Sequence, residues 1–318
     1  MRLVLTSLLV ALLAGGALTA PPTAYAAAAT CQGRPATIEG NTGTVLGTAG
    51  NDVIVVTDDV HRVDAGDGDD VICVVDNNTA RLIVLAGAGA DLVDTTAAAS
   101  YSSSLMGTGT DTFVGGKQPD QVVLEYDPAA PTAVDVVRTG GGADSLGSHS
   151  APVDADLGPG DDNYTAGFTE GQPGSRVLLG EGYDRISLDD EGADLHFDLR
   201  TGTLLRRGVQ SMVTGGDEVY AVGPEVWIRG TRTANDLTVL GCKVTLYGGG
   251  GHDELLHVGG SEPKCDKRRA RLYGQGGPDA LGAANGDDVL IGGAGKDRAN
   301  GGGGRDRCVA EKTSTCER

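Results

Sequence analysis

Residues 274–309 read GQGGPDALG, AANGDDVLI, GGAGKDRAN and GGGGRDRCV, four consecutive units of nine. Asp279, Asp288, Asp297 and Asp306 recur at every ninth position, each two places after a glycine: Gly277, Gly286, Gly295, Gly304. A fixed period decides the architecture before any single motif does. A fifth copy, GGGGHDEL, occupies residues 248–255 and adds Asp253.

Upstream the same unit recurs in looser form. It reads GTAGNDVIV from 47, AGDGDDVIC from 65, AGAGADLVD from 86 and MGTGTDTFV from 106, then GGGADSLG from 140, GPGDDNY from 158 and GEGYDRIS from 180. Asp52, Asp70, Asp91 and Asp111 are 18, 21 and 20 residues apart, and Asp144, Asp162 and Asp184 are 18 and 22 apart. That is about two nonapeptides per period. Between two such turns lie two short apolar runs separated by a polar break: VIVV, then Thr57-Asp58-Asp59, then VHRVDAG. Alternating apolar residues mark strands with one buried face. Coils of about 18–22 residues, each with two strands, predict an all-β fold, a parallel β-solenoid or β-roll of eleven or twelve coils. Segments 115–140 and 190–215 fit the pattern least and read either as degenerate coils or as excursions.

Composition agrees with this reading. Of 318 residues 52 are glycine, and there are only three Phe, eight Tyr and one Trp, so a two-strand coil is expected to be too flat for large rings. Asp, a turn residue, outnumbers Glu 33 to 11. The net charge of −19 disfavours binding nucleic acid through its phosphates. Residues 1–26 hold Arg2, an apolar run and Ala24-Tyr25-Ala26, the pattern of a secretory signal peptide; the run is too short to span a membrane. An extracellular, secreted protein without a membrane span is expected. Six cysteines suit disulfides in such a chain, and proximity favours Cys31–Cys73, Cys242–Cys265 and Cys308–Cys316 among fifteen pairings. Zinc is the rival reading, without a C-x2-C pair to support it.

The nonapeptides resemble the hemolysin-type (RTX) calcium-binding repeat G-G-x-G-x-D-x-U-x of secreted bacterial proteins, where U is a large apolar residue. The resemblance implies Ca2+ held between stacked turns by backbone carbonyls and the aspartate of each turn. Carried over, Asp279 with Asp297 would line one side of the terminal roll, and Asp288 with Asp306 the other. Asp253 joins them, and Asp52, Asp70, Asp91 and Asp111 would form a single file, with Asp144, Asp162 and Asp184 as further candidates. Gln275 and Ala284 replace the second glycine, and Ala299 and Cys308 replace U, which weakens the final units. The chemistry is consistent: calcium takes six to eight hard oxygen ligands, and glycine lets carbonyls converge. The competing reading of the loose copies is a tight turn and nothing more. The chain then divides into the signal peptide (1–26), an N-terminal cap segment (27–46), a degenerate solenoid (47–257), a basic insertion (258–272), RTX-like repeats (273–308) and a tail or cap (309–318).

No catalytic motif emerges. His252 and His257 in HDELLH lack the H-E-x-x-H spacing of a helical zinc site, and no G-x-S-x-G elbow occurs. The expected function is therefore a calcium-binding structural or adhesive module, monomeric and without enzymatic activity. The alternative is a β-helical carbohydrate-active enzyme of the polysaccharide lyase type, which would need aromatic and basic residues across consecutive coils. One anomaly remains, KCDKRRAR from Lys264 to Arg271, in an otherwise acidic chain. It reads either as a site for an anionic cell-surface polymer or as a solvated loop that offsets nearby carboxylates.

Overall fold

The computed structural model describes residues 29–77, 79–130, 132–149, 151–167, 174–189, 192–260 and 264–317. The signal peptide assigned to 1–26 lies outside these residues. The described chain contains no helix and winds into a parallel β-solenoid of about 15 turns. Each coil contributes one strand to each of two walls, and every strand pairs with its counterpart one coil on. On the first wall Val71–Asn77 pairs with Leu92–Ala97, which pairs with Thr112–Val114; on the second, Asn163–Ala166 pairs with Asp184–Asp189. The turn entering the first wall forms one edge of the solenoid, and the turn entering the second wall forms the other.

The coil count exceeds the expected eleven or twelve because the stack is longer at both ends. Ile38–Leu46 is already a rung, paired with Val53–Asp64, so the solenoid starts inside the stretch assigned to a cap. At the far end Arg307–Val309 and Lys312–Ser314 still pair in parallel. The two ill-fitting segments resolve differently. Asp120–Val123 and Asp135–Arg138 are regular rungs joined by a long turn. Within 190–215, by contrast, Thr203–Arg206 runs antiparallel to both Leu195–Asp198 and Val209–Thr214, an excursion inserted into the first wall.

One continuous apolar cluster fills the space between the walls, from Val45 through Ile72, Leu146, Ile186 and Leu246 to Ala299. Fully burying each such aliphatic side chain is worth about 1.5–3 kcal/mol. The expectation that coils are too flat for rings is corrected: Phe113, Phe197 and Tyr164 are all buried in this cluster.

All three expected disulfides form. Cys31–Cys73 fastens the hairpin Thr30–Cys31/Arg34–Pro35 to the outside of the first wall, over Val55 and Val71. Cys242–Cys265 ties two successive turns of the first edge, and Cys308–Cys316 closes the last coil. Three disulfides indicate an oxidising, extracellular-type environment.

Candidate metal centre

The Gly-Asp turns lie at the solenoid edges, each directly over its equivalent one coil away. Glycine is required there by contact as well as by conformation. Gly87 has φ 113° and Gly89 φ 143°, and a Cβ on either would run into the carbonyl oxygen of Gly66 or Gly68 in the coil before. Backbone carbonyls of successive turns thus line up along the edge.

The aspartates form files. On the first edge the Asp52 N–H donates to Asp70 Oδ1 (2.7 Å), Asp70 to Asp91 (2.9 Å), Asp91 to Asp111 (3.0 Å) and Asp111 to Asp135 (2.9 Å). On the second edge the Asp120 N–H donates to Asp144 (2.8 Å), Asp144 to Asp162 (2.8 Å) and Asp162 to Asp184 (2.9 Å). That file continues through Asp217 and Asn235 to Asp253, Asp279, Asp297 and Glu311. A third file resumes on the first edge, where Ala270 donates to Asp288 and Asp288 to Asp306.

Asp279 and Asp297 therefore share one edge while Asp288 and Asp306 share the other, as expected. Asp52, Asp70, Asp91 and Asp111 form the single file expected of them, on the first edge, and the further loose candidates Asp144, Asp162 and Asp184 take the opposite edge. The changeover is the coil around Asp111 and Asp120, which are nine residues apart, the spacing of the terminal units.

Sequence reasoning passed over five members of these files. Asp120 follows Gly115-Gly116 in the repeat frame and Asp217 follows Gly215-Gly216, so both carried a signal. Asp135, Asn235 and Glu311 lack the full glycine pattern, and only stacking against their neighbours reveals them.

The second carboxylate oxygen is the chemically open one. In Asp52 it accepts the N–H and hydroxyl of Thr48 at 2.8 and 2.9 Å. In eleven others (Asp70, Asp91, Asp111, Asp120, Asp144, Asp162, Asp184, Asp253, Asp279, Asp288 and Asp306) Oδ2 is buried without a hydrogen-bond partner. It turns back into its own turn: a Cβ on Gly248, Gly274 or Gly301 would meet the Oδ2 of Asp253, Asp279 or Asp306.

Burial makes these carboxyls reluctant to ionise. It pushes Asp111 up to about 8, Asp120, Asp162 and Asp253 to about 7, and Asp70, Asp91, Asp135 and Asp288 to about 6. Asp144, Asp184, Asp279 and Asp306 move the same way for the same reason. Donated hydrogen bonds pull each back down, from a backbone N–H for most but chiefly from the Ser102 hydroxyl for Asp120 and the Thr139 hydroxyl for Asp144, and for most the carboxylate one coil away pushes it further up.

Such a file needs a proton or a cation at each orphaned oxygen. The donor set fits a hard divalent cation: one charged oxygen per turn, a neighbour one coil away, and stacked carbonyls between. Among the described residues no group of three or more His, Cys, Asp and Glu converges, so carbonyls and water would complete any shell. The histidines belong elsewhere. His257 is buried, with Nε2 on the Gly241 carbonyl, and His196 stacks on Trp227. No family model matches the chain, and no curated protein matches it.

Proposed function

We propose that the chain is a secreted, calcium-binding β-solenoid, an extracellular structural or adhesive module whose edges bind Ca2+ between successive Gly-Asp turns. The carrying observation is the row of eleven buried, partnerless Oδ2 atoms in register with stacked carbonyls. The likeness of the terminal units to the RTX nonapeptide supports the same ion. Calcium would relieve the repulsion between carboxylates one coil apart, so its binding free energy becomes folding free energy. Sites of this kind suit the millimolar calcium of extracellular fluids.

Titration calorimetry of the mature chain, paired with thermal melts in calcium and in chelator, tests this. Several calcium ions per chain and a raised Tm are expected; no heat and an unchanged Tm refute it. The second reading, a β-helical lyase using calcium, gains one observation: His196, Trp227, Tyr247 and Tyr273 gather on consecutive coils of the first wall. Appearance of unsaturated products from an acidic polysaccharide would favour it; none is expected.

A further inference from the structure

The cations that looked like an isolated insertion form part of a larger surface. Arg269–Gly276 is a rung of the first wall, so within Lys264–Arg271 the residues 264–268 lie outside a strand and 269–271 within one. Val244, Leu246, Ala270 and Leu272 point into the core, and the alternate residues Lys243, Arg269 and Arg271 therefore face outward. Register places Lys243 beside Arg269, and Arg271 in one row with Val289 and Arg307. Arg229 stands on the same wall over the Tyr247 ring. The loop, anchored by Cys242–Cys265, adds Lys264, and also Lys267, which lines a groove of about 780 Å³ with Arg269 and Arg271.

A loop that merely offset carboxylates would spend its charges on them. Lys264, Lys267, Arg269 and Arg271 instead make no side-chain hydrogen bond or ion pair among the described residues, whereas Arg268 donates to the Gly260 carbonyl at 2.6 Å and Lys243 pairs with Glu225 at 2.9 Å. Asp266 and Asp287 also line the groove, without pairing to these cations. The opposite wall has the reverse sign in the earlier of these coils, with Glu218, Asp236 and Glu254 in one row; that row then passes through Ala280 to Arg298 and Lys312 in the last coils.

We propose that the outer face of the first wall from Arg229 to Arg307, with the loop at 264–268, is a docking strip for an acidic polysaccharide. Each coil presents three outward positions on this wall, such as Arg269, Arg271 and Tyr273, and the strip runs along the stack with coils about 4.8 Å apart, which fits a single extended chain bearing regularly spaced carboxylates or sulfates. A bilayer or a nucleic acid duplex would spread beyond it onto acidic surface. The oxidising environment implied by the disulfides is where such polymers occur. Charge carries the recognition, and ring stacking does not. Tyr247 and Tyr273 lie face to face at 4.9 Å with 10° between planes, and His196 covers Trp227 at 3.9 Å, so these rings cover one another instead of offering a platform.

The strip uses none of the carboxylates assigned to calcium, so either proposal can fail alone. Trp227, the only tryptophan, stands two rungs from Arg271 in the same row and serves as the reporter. Chondroitin sulfate is titrated into the full disulfide-bonded protein in calcium-containing buffer, following Trp227 fluorescence and calorimetric heat. Saturable binding is expected, lost at about 0.5 M salt, where the Debye length is roughly 4 Å. Arg269→Glu with Arg271→Glu should weaken it roughly tenfold or more. Arg298→Glu with Lys312→Glu, the same charge change on the opposite wall, should stay within about twofold. Dextran, duplex DNA and anionic phospholipid vesicles should bind more weakly than chondroitin sulfate. Equal losses in both double variants, no chondroitin sulfate binding, or tighter binding of dextran, DNA or vesicles would overturn the proposal. Both pairs are on the outer surface, and an unchanged Tm shows that the fold survives.

Discussion

The four coils that start at Asp52, Asp70, Asp91 and Asp111 and the two that carry Asp279 to Asp306 use one turn at two densities. From Asp52 to Asp111 the motif occupies only the first edge, and the second edge turns through polar breaks such as Thr57-Asp58-Asp59. From Asp279 to Asp306 both edges carry it, which is why the sequence period falls from about twenty residues to nine. The cores answer in opposite ways. Early coils enclose Ile54, Ile72 and Leu82, whereas the last units narrow to Ala299 and a half-buried Cys308. What the end lacks in apolar burial it makes up with carboxylate ladders on two edges and a disulfide. Cohesion passes from the middle of the coil to its edges.

Chelation should separate the regions most. With calcium at about 100 times Kd each occupied site adds about 2.7 kcal/mol, and the terminal coils have most to lose. Hydrogen exchange is expected to rise in 274–314 before 53–114 when calcium is withdrawn. Simultaneous loss of protection in both would break the contrast.

Next comes the staple of the early region. Removing Cys31–Cys73 by replacing both cysteines with serine should cost roughly 2–5 kcal/mol, read as a lower denaturation midpoint. Little change would mean that the hairpin is not part of the cooperative unit.

Asparagine and alanine divide the two roles of the aspartates. Asn235 already stands in the second file, where its Oδ1 accepts the Thr231 N–H and its own N–H donates to Asp253. An asparagine Oδ1 can accept the Asp253 N–H as the carboxylate does, so Asp279→Asn should keep the ladder and lose calcium, while Asp279→Ala leaves the Asp253 N–H unpaired and costs about 1–3 kcal/mol even in chelator. Equal melting of the two variants in chelator would dismiss the ladder as a stabilising element.

Without calcium the files also make stability depend on pH. Carboxyls raised by burial favour the fold below the ordinary aspartate pKa of about 3.9, and that contribution is lost as pH rises through about 6 to 8. In chelator Tm should fall between about pH 5 and 8; saturating calcium, which binds the ionised form, should flatten or reverse the slope. A flat Tm in chelator would show that the files are already ionised.

Much of this was legible because repetition converts sequence distance into spatial distance. Once coils stack in register, Asp279 and Asp297 must become neighbours, and the three cysteine pairs close over short separations. Asp135 was not legible: it lies 24 residues beyond Asp111 without a glycine turn, and only pairing of Asp135–Arg138 with Thr112–Val114 brings it into the file. The excursion at 190–215 was hidden for a related reason, because antiparallel strands alternate as parallel ones do.

The nine-residue unit by itself determined a helix-free solenoid with glycine and aspartate at most of its turns, since positive φ and close stacking favour glycine there and a short carboxylate can accept the N–H one coil away. Tertiary structure alone decided which edge each aspartate joins, that one carboxylate oxygen is spent on the N–H a coil away while the other is left bare, and that Arg269 and Arg271 share a wall with Arg229. Those outcomes depend on the lengths of the variable turns and on the side a rung presents. A one-residue change in either reverses them, and local sequence does not count the residues across a whole coil.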